Sequence, residues 1–235
     1  MRIAILGYGK MGKAIEKVLL KKGHEVVLKA NSDHQATNQD LENVDIAIEF
    51  SQPKAAFHNI SLCFDNRIPV VSGTTGWHDK MIDIKNRTID EGQSFFYASN
   101  FSIGVNIFFA MNKRLAELLN QYNHYKATIN ETHHAKKLDA PSGTAITLAE
   151  NIMETQKNYE SWALKEKGEK IITIESERIG EVHGTHVVTY ESQDDIIEIK
   201  HESKNRRGFA LGAVLAAEYL HGKTGYFGMR DLLNL

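Results

Sequence analysis

A chain of 235 residues that is 42% hydrophobic and 25% charged, with only three prolines, has the composition of a soluble globular protein and excludes collagenous, low-complexity and disordered classes. At roughly 150 residues per domain this length fits one large domain or two modest ones. The 28 basic and 30 acidic residues leave a net charge of −2, so there is no broad basic footprint for nucleic acid or an anionic membrane, and any anion must be met by a local cluster. The lone Cys63 excludes an internal disulfide framework and any multi-cysteine metal site, and fits a reducing compartment. No apolar run approaches the ~18 residues of a membrane span. The apolar stretch in Met1-Arg2-Ile3-Ala4-Ile5-Leu6-Gly7 is too short for a signal peptide, so the expected location is cytoplasmic, with no membrane partner.

From residue 1 to about 103, short β-branched runs alternate with helical stretches, the pattern of a parallel sheet with crossover helices. Residues 3–6 read as the first strand. The first helix spans 11–22, with Ala14, Ile15, Val18 and Leu19 on one face and Gly23 closing it. Strands follow at 25–29, 44–50, 69–72 and 94–97, with helices around 53–65 and 78–91. Beyond 104 a long amphipathic helix, 105–121, leads into strands at 125–133, 170–178, 183–191 and 196–202, with a helix at 144–155. The last two strands are joined by the turn-prone Gln193-Asp194-Asp195, so this sheet is antiparallel or mixed. A helix at 209–220 precedes a tail carrying Phe227, Met229, Leu232, Leu233 and Leu235, apolar enough to pack back on the first core. The expected domains are 1–103 with 213–235, and 104–212.

Gly7, Tyr8, Gly9, Lys10, Met11 and Gly12 form a G-x-G-x-x-G element directly after the first strand and at the start of the first helix, the context of a dinucleotide fingerprint. Gly7 permits the tight turn, Gly9 lets a pyrophosphate approach the backbone, and Gly12 lets helix and strand pack closely. Without that context the motif would be only a tight turn. Ligands of open α/β sheets lie beyond the carboxyl ends of the strands. There the chain carries Phe50-Ser51, Gly73-Thr74-Thr75-Gly76 and Ala98-Ser99-Asn100-Phe101, where hydroxyls and the Asn100 amide offer hydrogen bonds. About 20 residues past the loop an acid favours NADH and a cation favours NADPH. Lys29 and Asp33 stand near that point and favour opposite cofactors, so either nucleotide fits.

The densest chemistry runs from Glu131 to Ala145, through His133, His134, Lys136 and Lys137, to Ser142 as an N-cap candidate for the following helix. The N–H groups of Gly143, Thr144 and Ala145 would face a carboxylate or phosphate at the positive end of that helix. With two histidines and two lysines beside it, the segment suits a small, doubly anionic substrate and a proton donor; the alternative is a solvated basic loop. No metal is expected, because adjacent His133 and His134 point to opposite faces of a strand and no close carboxylate completes a set; the odd spacing of His183 and His186 separates those rings too. Lys204-Asn205-Arg206-Arg207 reads as a solvated turn, unless the sheet brings it to the first cluster.

These strings resemble the 4-hydroxy-tetrahydrodipicolinate (dihydrodipicolinate) reductase family of diaminopimelate and lysine biosynthesis. The resemblance covers nearly the whole chain. It is carried by the glycine loop, by 73–76, by 98–106, and above all by the unbroken E-x-H-H-x-x-K-x-D-A-P-S-G-T-A from Glu131 to Ala145. Arg178-x-Gly180, Gly184-x-His186, His201, Arg206, 209–213 and 225–231 agree with it. The resemblance implies a Rossmann-type parallel-sheet domain plus an α+β substrate domain, assembled as a homotetramer. It implies hydride transfer from NADH or NADPH to C4 of the conjugated ring of a small dicarboxylate. It further implies that His133 is the catalytic residue at the substrate, that Lys137 is the proton donor, and that His134, Gly143 and Thr144 bind substrate. Cofactor contacts would fall on Gly7–Gly12, on Gly73, Thr74 and Thr75, and on Ser99, Asn100 and Phe101. One departure is the segment 31–43, shorter than in many bacterial members, which suggests a lost strand or helix near the adenosine end. Taken without the resemblance, the first half equally suits a homoserine or aspartate dehydrogenase-like enzyme, or a non-catalytic nicotinamide-nucleotide sensor.

Overall fold

The computed structural model describes all 235 residues. The chain divides into two compact units, residues 1–103 with 206–235, and residues 104–205. It re-enters the first unit at Arg206, where the sequence reading set residue 213, because the next helix is unbroken and belongs to the first unit along its whole length.

The first unit comprises β1 (Arg2–Leu6), α1 (Lys10–Lys21), β2 (Glu25–Ala30), β3 (Ile46–Glu49), α2 (Pro53–Asp65), β4 (Val70–Ser72), α3 (Met81–Asp90) and β5 (Ser94–Tyr97). All strands of its six-stranded sheet run parallel, in an order that places β1 between β3 and β2. Residues alternate faces along each strand. Ile3, Ile5, Ile46 and Ile48 therefore enter one core with Ile15, Val18 and Leu19 of α1, while Ala4, Leu6 and Ala47 enter the other with Ala56, Ile60, Phe64 and buried Cys63 of α2. Strands covered on both faces read as the continuous apolar runs seen in the sequence. The short segment after β2 holds no strand and no α-helix, only the 3-10 turn Gln39–Leu41, so β2 is the edge of the sheet.

The second unit follows with α4 (Ile103–Leu119), β6 (Lys126–His133), α5 (Gly143–Thr155), β7 (Ser161–Leu164), β8 (Ile171–Arg178), β9 (Thr185–Glu191) and β10 (Ile196–Glu202). Its sheet is mixed: β6 runs parallel to β8 and antiparallel to β9, β7 is parallel to β8, and β10 antiparallel to β9. The four-residue β7, half exposed and without a periodic signal, has no counterpart in the sequence reading. Ala127 and Ile129 of β6 pack with Phe108 of α4 and Leu148 and Ile152 of α5. Glu131 and His133, two and four residues on from Ile129, are buried on that same face.

The chain then returns to the first unit through α6 (Arg207–Leu220), β11 (Gly225–Phe227) and α7 (Met229–Leu233). The apolar tail does more than pack on the core: β11 pairs in parallel with β5, and Phe227, Met229, Leu232 and Leu233 join α6 in the α1 core. No helix is long and apolar enough to cross a membrane.

Candidate active site

The glycine loop turns between β1 and α1. Gly7 has φ +105°, and a Cβ there would lie 2.2 Å from the Phe50 carbonyl oxygen, so no other residue fits. A Cβ at Gly9 would meet nothing within 4 Å, so the cradle is open at that point. Gly9 is the N-cap of α1, no side chain caps this helix, and its first turn holds no acid. Its leading N–H groups are thus available to an anion, the arrangement a pyrophosphate needs. Lys10 is exposed, and Met11 is half-buried against the core. Tyr8 donates a short hydrogen bond to Glu16, which also pairs with Lys29 at 2.5 Å, and the Lys29 ammonium lies 5.2 Å from the Tyr8 ring centroid. Lys29 is therefore partnered within the protein, and Asp33 sits in a turn in which the Asp33 and His34 N–H groups both donate to Asn31 Oδ1.

The other strand ends divide by side chain. The Thr74 hydroxyl, expected to face a ligand, points inward to Glu49 at 2.9 Å, and the Thr74 carbonyl accepts from Trp77 Nε1. Thr75 is exposed, and Gly73 is half-buried. Phe101 is 2% exposed with its ring against Phe50 and Phe96, a core residue whose ring is closed to a ligand. Asn100 Oδ1 accepts from the Ser102 N–H and so shapes the turn itself, while Ser99 is exposed.

In the second unit, strand register builds a cluster around Glu131. His133 lies opposite Arg178 on β8, and Glu131 opposite His186 on β9. The Glu131 carboxylate is 1% exposed. It accepts from Arg178 Nη2 at 3.0 Å, Ser176 Oγ at 2.6 Å and the Ser142 N–H at 3.1 Å, with His133 Nδ1 at 3.4 Å and His186 Nε2 at 3.6 Å. Ser142 caps α5 by accepting from the Ala145 N–H, and its hydroxyl also meets His186 Nε2 at 3.1 Å. The Ala145 N–H is thereby engaged, so the anion site expected of three N–H groups reduces to those of Gly143 and Thr144. Gly143 is open above its Cα. Gly184, at φ +144°, makes room for the His133 ring: a Cβ there would lie 3.1 Å from Nε2.

Burial first, and the neighbouring His186 next, push the His133 pKa down to about 4, against the opposing pull of Glu131. His133 is accordingly a neutral ring at pH 7. Hydrogen bonds from His186, Ser142, Ser176 and Arg178 outweigh the opposing burial and hold Glu131 well below the usual carboxylate range. Lys137 Nζ lies 2.8 Å from both carboxylate oxygens of Asp139, so its nearest charge is an anion rather than the neighbouring cations of the sequence. The exposed Lys204 pairs with Glu202 at 2.7 Å, and Arg206 is the N-cap of α6.

The expectation that no carboxylate stands near these histidines is corrected. Ligand atoms of Glu131, His133 and His186 lie within 4.8 Å of one another, because residues two apart on a strand share a face. Both oxygens of that carboxylate already receive protein donors, and a guanidinium stands beside it, which makes the set a charged hydrogen-bond network rather than a bare metal cage. Glu131, Ser176, Arg178, Gly184 and His186 went unassigned in the sequence, although the i, i+2 spacing of Glu131 and His133 was there to be used.

A glycine loop at the carboxyl end of β1 in a parallel sheet, followed by a second unit with a capped helix start beside a buried histidine, is the layout of a dinucleotide-dependent oxidoreductase. The family model described as dihydrodipicolinate reductase, N-terminus, matches residues 1–101, and that described as dihydrodipicolinate reductase, C-terminus, matches residues 104–233. The chain belongs to the dihydrodipicolinate reductase family. The 4-hydroxy-tetrahydrodipicolinate reductase of Christiangramia forsetii is 51% identical, with 100% of this chain and 98% of that protein covered, and its namesake in Rickettsia rickettsii is 33% identical, with 97% and 96% covered. Among solved structures, dipicolinate-bound dihydrodipicolinate reductase from Paenisporosarcina sp. TG-14 shares the fold at a TM-score of 0.78 and 22% identity over 98% of each chain. Amine dehydrogenase from Mycobacterium smegmatis shares it at 0.62 and 10% identity, over 98% of this chain and 95% of the other.

Proposed function

We propose that this chain reduces 4-hydroxy-tetrahydrodipicolinate to tetrahydrodipicolinate in diaminopimelate and lysine biosynthesis, using NADH or NADPH. The observation that carries this reading is the start of α5, where a helix N-terminus with two open N–H groups is fixed by Ser142, Glu131 and His186 beside a buried neutral histidine and a lysine. Gly143 and Thr144 hold one substrate carboxylate, and His134 contacts the same molecule. His133, neutral and held by the Glu131 network, faces the ring. Lys137 Nζ, kept in place by Asp139, gives the proton, and the 4-hydroxyl group of the substrate leaves as water, which balances the reduction. Bound NADH or NADPH supplies the hydride. The N–H groups of Lys10, Met11 and Gly12 hold its pyrophosphate, while Gly73, Thr75 and the backbone at Ser99 and Asn100 line the nicotinamide end.

The enzyme works as a homotetramer in the cytoplasm. Supporting this are the face of the second sheet turned away from α4 and α5, which carries Asn130, Glu175, Val187 and Thr189 with no helix of its own unit over it, and the buried free thiol of Cys63. The test is a coupled assay in which dihydrodipicolinate synthase supplies substrate and the oxidation of NADH and NADPH is followed separately. Turnover with at least one nucleotide is expected, and oxidation of neither overturns the assignment.

A further inference from the structure

Where β3 ends, Glu49 is fully buried and takes four donors: the Ser51 N–H at 3.0 Å, Ser72 Oγ at 2.7 Å, Thr74 Oγ1 at 2.9 Å, and Ser51 Oγ in a short contact. Buried carboxylates are ordinarily neutralised by Arg or Lys. Here every partner is neutral, one backbone N–H and three hydroxyls, and no Arg or Lys is among them. Glu49 adds to the effect of burial in raising the Cys63 thiol, and adds a smaller share, after burial and Tyr226, in raising the Tyr97 hydroxyl.

The same residue joins three loops. The Gly73 N–H donates to the Glu49 carbonyl at 2.9 Å, the Phe50 N–H to the Leu6 carbonyl at 2.7 Å, and Gly7 lies against the Phe50 carbonyl. The carboxylate thus decides how residues 73–75 leave the sheet, turning Thr74 inward and leaving Thr75 exposed.

We propose that Glu49 is a positioning residue for the cofactor loop 73–75, and that its uncompensated negative charge favours the oxidised, cationic nicotinamide over the reduced, neutral one. This rests on the reading of 73–75 as a cofactor contact. When a hydride leaves for the substrate ring, the nicotinamide gains one positive charge, and a fixed anion in a low-dielectric site lowers the free energy of that product. Substrate reduction is completed by the proton from Lys137 and by loss of the 4-hydroxyl group as water, so no further reactant is required.

The test uses the full chain and titrates NADH and NAD⁺ separately, by nucleotide or intrinsic fluorescence, in the wild type, Glu49→Gln and Glu49→Asp. Circular dichroism confirms the fold, and hydrogen exchange follows residues 72–76. Glu49→Gln is expected to raise the ratio of the Kd for NAD⁺ to the Kd for NADH by roughly three- to tenfold. Glu49→Asp, which keeps the charge but cannot reach all four donors, is expected to weaken both nucleotides while holding the ratio. An unchanged ratio in Glu49→Gln overturns the charge role. If that variant does not fold, wild-type affinities in Glu49→Asp overturn the positioning role. Absence of protection at 72–76 when NADH binds the wild type removes the underlying loop reading, whereas protection with an unmoved ratio overturns this proposal alone.

Discussion

Lys137 and His133 illustrate how differently two neighbouring groups are held. Lys137 rests against Asp139 on a loop with a partly exposed side chain, and Asp139 is held below its usual range first by the hydrogen bond from Lys137. Replacing Lys137 with Ala removes the proposed proton donor but nothing from the first unit. It is expected to lower kcat by about 10²- to 10⁴-fold with the Kd for NADH unchanged, and retention of kcat in steady-state assays refutes the acid role. His133 is buried, and its pKa of about 4 in the folded state lies below the ordinary 6.5. The unfolded chain therefore binds this proton first on acidification. The stability His133 contributes is complete above pH 6.5, is lost as pH falls to about 4, and changes no further below that. The loss is on the order of 3 kcal/mol. His201, also lowered by burial, acts in the same direction, and Glu131, lowered as well, adds its loss below the ordinary carboxylate range. Urea unfolding at pH 7 and pH 5 should show the decline, and it should be shallower in His133→Gln; identical slopes contradict the assignment. The motif residues at this scale were legible because they are contiguous in the chain. Arg178 and His186 were not, because only the register of β8 and β9 against β6 brings them to Glu131.

At the scale of elements, α5 is fixed by its N-cap residue. Ser142 caps the helix, donates its N–H to the Glu131 carboxylate and meets His186 through its hydroxyl. Ser142→Ala loses the cap and one partner of His186 while keeping the N–H bond to Glu131. It is expected to destabilise the protein by about 1–2 kcal/mol and to weaken affinity for the proposed dicarboxylate substrate severalfold, read as its KM in the coupled assay. Wild-type affinity in a destabilised variant confines the serine to a structural role. Long periodic helices such as α2 and α4 could be read from apolar spacing, and so could strands with clean alternation such as β10. The three-residue β11 could not, since its pairing with β5 depends on a partner more than a hundred residues away in sequence. The inward turn of Thr74 was equally hidden, because nothing local announces that Glu49 is waiting beneath it.

For the molecule as a whole, the second unit is one uninterrupted stretch, 104–205, with its own core of Phe108, Ile129, Leu148, Ile174 and Tyr190, whereas the first needs both ends of the chain. Residues 104–205 expressed alone are therefore expected to give a cooperative thermal transition and strand-rich circular dichroism. Residues 1–103 alone are expected to give none, since Ala210, Ala213, Val214 and Leu220 would be missing from the α1 core. A cooperative transition in the 1–103 fragment sinks this division. The same discontinuity sets an order of events during synthesis. The inserted unit has all its residues outside the ribosome while β5 still presents a bare edge and the hydrophobic side of β1 and β3 lacks α6. The nucleotide-binding half can close only when the last dozen residues arrive, so premature termination near the end leaves an open, adhesive sheet edge attached to a finished partner unit.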